Sequence, residues 1–171
     1  MSAAEYSAVE TLRDGRRVEI RAQRHGDRDA IAAAFRRSSP ETIYRRFFGA
    51  RTSFTEEEIA FYLDVDFVQH VALVAELEDA GRKVVAGGGR YIVSPPDRAE
   101  IAFTVDDPHQ GLGIATRLLR HLVAIARAAG VKEFFAEVLP ENAPMLKVFE
   151  RSGLAMTTRR EAGVVHVTLA L

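Results

Sequence analysis

The chain reads as an α/β protein with a mixed central sheet and helices on both of its faces. Three observations predict this. A strand pattern at 99–105 passes through a glycine-rich turn into an amphipathic helix, and a second apolar strand pattern at 133–139 leads through a proline-containing turn into a short helix. Two further strand patterns, 70–78 and 83–93, are joined by the turn Asp79-Ala80-Gly81. Strands that alternate with helical patterns require helices to cover the sheet.

The elements follow in order. Residues 1–11 mix Ala, Ser and Glu without an apolar core, so they match neither a secretory signal nor a transit peptide. Residues 1–12 are therefore expected to be a frayed tail before a single domain at 13–171. A first strand is expected at 16–21, then helices near 27–37, 40–48 and 56–63. Ser39 stands before a proline at the first helical position, and Thr55 to Glu58 has the spacing of a capping box. Gly87, Gly88 and Gly89 interrupt the strand at 83–93, which marks a bulge or a close backbone approach.

In the strand at 99–105, Ile101, Phe103 and Val105 alternate with Glu100, Ala102 and Thr104, so the two sets face opposite sides. The helix after the turn carries Ile114, Leu118, Leu122, Ile125 and Ala129 on one stripe, with Arg117, Arg120 and Arg127 away from it, and Gly130 closes it. The second helix runs from the Pro140 turn through Ser152 and stops at Gly153. Strands at 154–160 and 164–170 end the chain.

Composition removes several classes of function. The chain has 171 residues, a formal net charge of -1, 47% hydrophobic residues and no cysteine. Thiolate metal sites, disulfides and a cysteine acyl-enzyme are excluded, and a cytoplasmic protein is expected. The charge balance argues against nucleic acid as a partner, despite the arginines between Arg13 and Arg51. No apolar run is long enough for a bilayer. The five histidines show no i, i+4 pairing, so no metal site is expected, although His70 and His109 stand where they could approach a ligand.

The segment Asp107-Pro108-His109-Gln110-Gly111-Leu112-Gly113-Ile114-Ala115-Thr116 carries the chemistry. Its glycines allow close approach of the backbone, and the first turn of the following helix offers unpaired N–H groups with partial positive charge, which suits a diphosphate. A dinucleotide fingerprint would need glycine or alanine where Thr116 stands, and a P-loop would need Gly-Lys-Ser/Thr. Neither pattern is present.

What remains, Gln110-x-x-Gly113-x-Ala115, resembles the acetyl-CoA signature of the GNAT superfamily of N-acetyltransferases. A second motif agrees: Asn142, Met145, Phe149 and Gly153-Leu154 have the spacing of the family's next conserved block. The resemblance covers roughly residues 82–171. It implies the GNAT fold, with a mostly antiparallel sheet whose central strands splay where acetyl-CoA enters. It also implies backbone bonds from Phe103, Thr104 and Val105 to the pantetheine arm and a pyrophosphate cradle at Gln110, Gly111, Leu112, Gly113, Ile114, Ala115 and Thr116. Asn142, Met145 and Phe149 are then placed on the far side of the cofactor.

Ser39-Pro40-Glu41-Thr42-Ile43-Tyr44-Arg45-Arg46-Phe47-Phe48 resembles a segment of the bacterial protein lysine acetyltransferases within that superfamily. Members of that subgroup are often joined to acyl-CoA-synthetase-like or cyclic-nucleotide-binding domains, neither of which fits in 171 residues. They acetylate a lysine of acyl-CoA synthetases. Helix-to-sheet packing is an equally good account of Tyr44, Phe47 and Phe48.

Transfer to an amine sets one demand. A lysine with pKa about 10.4 is neutral in only about one part in a thousand near physiological pH, so a base or a desolvating site is required. Glu100 matches the glutamate that the lysine subgroup uses. Glu137 matches the base position of the ribosomal-protein N-terminal acetyltransferases, but Phe149 stands where those enzymes carry a proton-donating tyrosine. The expectation is direct transfer from acetyl-CoA to a primary amine without a covalent intermediate. A small-molecule amine acetyltransferase and a non-catalytic acyl-CoA sensor remain alternatives.

Overall fold

The computed structural model describes residues 2–47 and 55–171, and within the second helix the backbone but not the side chains of Ile43, Tyr44 and Phe47. The order is β1 (Ser7–Thr11), β2 (Arg17–Ala22), α1 (Arg28–Arg37), α2 (Pro40–Phe47), α3 (Glu56–Leu63), β3 (His70–Asp79), β4 (Arg82–Ser94), β5 (Arg98–Val105), α4 (Ile114–Ala128), β6 (Glu133–Val138), α5 (Ala143–Glu150), β7 (Ala155–Glu161) and β8 (Val164–Ala170). Tyr44, Phe47 and Phe48 thus leave no side-chain contact to weigh, because those side chains and residue 48 lie outside the described part.

The strands form one sheet in the order β1-β2-β3-β4-β5-β6-β8-β7. Every neighbouring pair is antiparallel except β5 and β6, which are parallel. A parallel pair needs a crossover, and α4 supplies it. Side chains alternate across the strands, so one face of the sheet packs on α4 and the other on α1. Phe103 and Leu122 meet over Gly89 on the α4 side, where a Cβ at Gly89 would stand 2.7 Å from the Phe103 ring. This close approach explains why the strand carries glycine there. The register of β3 against β4 also shifts at Ala75/Glu76, as the glycine run suggested.

The core is contiguous from β2 to β8, with Ile20, Leu73, Tyr91, Leu118, Leu122, Phe134 and Leu169 among its buried residues. The expected amphipathic stripe of α4 is buried at Ile114, Leu118 and Leu122. Its C-terminus closes by Val131 N–H to Ala126 O at 3.0 Å and Gly130 N–H to Arg127 O at 3.1 Å, the paired bonds of a Schellman end. At α3 the Thr55–Glu58 capping box forms in both directions.

One expectation fails. Residues 1–12 are not simply a frayed tail, because Ser7–Thr11 pairs with β2 over five positions and Leu12 is buried. The strand is held by side chains remote in sequence: Glu10 accepts hydrogen bonds from Arg120 and His121, and His121 Nδ1 shares a 2.5 Å hydrogen bond with the Tyr6 hydroxyl. A local reading sees only a short polar segment.

Candidate active site

A cavity of about 560 Å³ lies where β5 and β6 part. Those strands pair only from Arg98↔Glu133 through Glu100↔Phe135. Beyond that point, among the described residues, the edge of β5 from Ile101 to Val105 has no strand beside it, which leaves backbone N–H and C=O groups open to a ligand. The splay follows from what comes next in each strand. Asp106 and the turn after it lead β5 into α4, whereas β6 continues beside β8 to Val138.

The N-terminus of α4 opens into this cavity. Gly113 is its N-cap at φ 87°, makes no side-chain cap, and the first turn carries no acidic residue. Gly111 is likewise left-handed at φ 79°. Only glycine holds such angles without strain, and the helix N–H groups thereby stay free for an anion. A Cβ at Gly113 would also stand 2.4 Å from Arg117 Nη1. These features fit the diphosphate of a coenzyme A. Arg13, Lys147 and Arg151 add cations to the wall, which suit its phosphates.

Fourteen of the fifteen residues singled out from the sequence line this one cavity: Glu100, Phe103, Thr104, Val105, Gln110, Gly111, Gly113, Ile114, Ala115, Thr116, Glu137, Asn142, Met145 and Phe149. Leu112 is outside the wall and packs against the core, while its carbonyl accepts the Arg13 N–H at 3.3 Å. Phe149 is 1% exposed, with its ring 6.2 Å from that of Phe103, so it supports β5 from the core side. Asn142 caps α5 through Oδ1 on Met145 N–H at 3.4 Å, which leaves its amide donors for a ligand.

Both carboxylates are exposed on the wall. Glu100 sits on the last β5–β6 pair, at the fork itself. Glu137 stands two residues past the fork, opposite His166, whose Nδ1 is 3.7 Å from its Oε1. The fork position puts Glu100 on the same face as Ala102 and Thr104, toward α2.

α2 closes that side, and it is tied to the cradle by side chains. The Asp107 carboxylate accepts from Ser39 N–H at 3.0 Å and from the Thr42 hydroxyl at 2.9 Å, and Gln110 Nε2 donates to Thr42 Oγ1 at 3.2 Å and Val105 O at 3.0 Å. Burial works to raise the Asp107 pKa, but the hydrogen bonds from Ser39 and Thr42 outweigh it and hold the carboxyl below its ordinary value. Asp106, 1% exposed, is bracketed by Arg37 at 2.7 Å and His109 Nδ1 at 2.6 Å. His109 also lines the cavity, and both its ring nitrogens face carboxylates, Asp106 and Asp79.

Sequence reasoning missed Arg13, Lys147 and Arg151 as wall residues and named no individual role for Thr42, Arg45 and Arg46. Thr42, Arg45 and Arg46 lay within a motif already singled out, and that was the available signal. Arg13 had none, since it reaches the cradle from the β1–β2 connection. Among the described residues no group of three or more His, Asp or Glu could hold a metal ion, and no helix is long and apolar enough to cross a membrane.

Comparison with known proteins agrees with this geometry. The model of the acetyltransferase (GNAT) family matches residues 34–154. An acetyltransferase of Pseudomonas aeruginosa is 34% identical over 129 residues, 75% of this chain and 69% of that protein. The acetyltransferase Pat of Mycolicibacterium smegmatis is 35% identical over 129 residues, 74% of this chain and only 38% of that longer protein. The crystal structure of the GNAT domain of S. lividans PAT superposes with a TM-score of 0.87 at 34% identity, covering 96% of this chain and 97% of that one.

Proposed function

The chain belongs to the acetyltransferase (GNAT) family, and from that premise we propose that it moves the acetyl group of acetyl-CoA to a lysine side chain of a protein, with Glu100 as the base. Acetyl-CoA is the cosubstrate and the chain is an acyltransferase. The observation that carries the finer reading is the position of Glu100. It lies at the fork of β5 and β6, in the same cavity wall as the uncapped α4 terminus, facing the α2 side from which an acceptor can enter.

The reaction follows from those positions. Glu100 takes a proton from the acceptor ammonium, directly or through water, and the neutral nitrogen attacks the thioester carbonyl. The open β5 edge near Val105 offers a backbone N–H to the carbonyl oxygen as its charge grows. The new N–C bond forms, the C–S bond breaks, and the nitrogen sheds its second proton to the leaving thiolate, directly or through water, while Glu100 returns the first to solvent. No tyrosine donor stands at Phe149, and a thiol of pKa about 8.5 leaves without one. Glu137 is a secondary polar group on the same wall.

The protein lysine rests on two supports: the motif resemblance of the 39–48 segment, from which Thr42, Arg45 and Arg46 line the cavity, and similarity to Pat acetyltransferases. An acyl-CoA synthetase is the proposed partner. The test is thiol release from acetyl-CoA with a panel of acyl-CoA synthetases, lysine peptides and small amines; the chain has no cysteine to contribute background. Release with the proteins or peptides supports the reading, and release with small amines alone overturns the protein acceptor. Glu100→Gln is expected to lower kcat about 10²- to 10⁴-fold with acetyl-CoA affinity retained. Equal turnover in Glu100→Gln and a large loss in Glu137→Gln would reassign the base.

A further inference from the structure

Behind α2 a second cavity of about 60 Å³ opens between the α1 and α3 side and strands β4 and β5. It shares Arg46, Ala102, Phe103 and Thr104 with the acetyl-CoA cavity, so it adjoins the place where the acyl group must lie. At about 10–15 Å³ for each water-sized occupant, it has room for roughly four to six heavy atoms. An acetyl methyl needs one.

Arg90 gives the cavity its chemistry. Its Nη1 donates to Tyr62 O at 3.2 Å and to His70 Nε2 at 2.9 Å, its Nη2 donates to Gln23 Oε1 at 3.2 Å, and its Cζ lies 4.4 Å from the centre of the Tyr62 ring. Each partner is neutral. His70 accepts only as the tautomer with a bare Nε2, and burial, then the Arg90 charge, pulls its pKa down to about 4. Three of the five guanidinium donors are used, and no carboxylate among the described residues pairs with Arg90. Asp106 also lines the cavity, but its charge is met by Arg37 and His109. Arg46 adds a second cation to the wall.

A guanidinium held rigidly by neutral acceptors keeps its charge and spare donors for a planar anion. An acceptor ammonium is repelled from the same space. We infer that this cavity is a carboxylate subsite, in which Arg90 binds a carboxylate presented beside the thioester. The carboxylate comes either from the far end of a dicarboxylic acyl-CoA or from the acceptor. This inference rests on the acyl-transfer reading of the main cavity and names a substrate class for it.

Calorimetric titration of the full chain tests it without turnover. In one arm succinyl-CoA is compared with butyryl-CoA, its neutral four-carbon counterpart. In the other, with coenzyme A bound, Nα-acetyl-lysine is compared with its amide. In one arm the carboxylate ligand is expected to bind at least about tenfold more tightly, as a charge-assisted hydrogen bond implies. That ratio should collapse toward one in Arg90→Gln and survive in part in Arg90→Lys. Should Arg90→Gln not fold, the wild-type ratios and Arg46→Gln decide. Ratios near one in both arms overturn the subsite, as does a preference that persists in Arg90→Gln. Absence of acetyl transfer to every amine would instead remove the proposed function and leave these ratios readable.

Discussion

The two sides of the active-site cavity are built in different ways. The cradle is local: β5, the turn and the start of α4 form one continuous stretch, and its ligand groups are mainly backbone N–H set by two left-handed glycines. The acceptor wall is assembled from distance. Asp107 holds Thr42 across 65 residues, Asp106 holds Arg37 across 69, and Arg90 reaches Gln23 across 67. Backbone geometry depends on conformation rather than on side-chain identity, so a cradle can be written as a short motif. A wall of side-chain pairs depends on partners that only folding brings together.

The contrast predicts that wall variants cost stability while cradle variants cost cofactor affinity. The largest effect is expected for Asp106→Ala. It strips a 1% exposed carboxylate from Arg37 and from the buried His109, and breaking such a pair costs about 3 kcal/mol or more. Chemical denaturation should show that loss. Unchanged stability with weakened acetyl-CoA binding would erase the distinction between the two sides.

Gly113→Val should act in the opposite sense. A β-branched residue at φ 87° is strained by about 1–2 kcal/mol, and its Cβ would displace the Arg117 guanidinium beside the helix start. Acetyl-CoA affinity should drop about tenfold or more, measured by titration. Retained affinity would show that side chains, not the helix terminus, hold the diphosphate.

The smallest effect is a slope. His70 has an ordinary pKa of 6.5 that burial and Arg90 lower to about 4, so between those values the unfolded chain binds more protons than the folded one. Stability contributed by the neutral ring is full above about pH 6.5 and declines as pH falls toward 4. His70→Gln should flatten the wild-type curve across that window by an amount of the order of 1 kcal/mol, read from denaturation midpoints at several pH values. Parallel curves would detach His70 from the wall's electrostatics.

The legibility of the molecule follows the same division. The α4 stripe, the Thr55–Glu58 capping box, the glycine run of β4 and the cradle were visible because each depends on neighbours within a few residues. Strand β1 was not visible, since Tyr6 and Glu10 find His121 and Arg120 more than a hundred positions away. Arg13 was missed for the same reason, and Arg90 reads in sequence as one more strand arginine.

By itself the sequence determined the periodicities, the caps and the phosphate turn, and through them the α/β class and the place of the cofactor. Tertiary structure alone decided where β5 leaves β6, which carboxylate stands at that fork, and that Arg90 is held by neutral acceptors in the cavity behind it. The physical reason is range. Helix and strand propensities act over a few bonds, whereas charge pairing and strand separation depend on distances that the chain acquires only on folding.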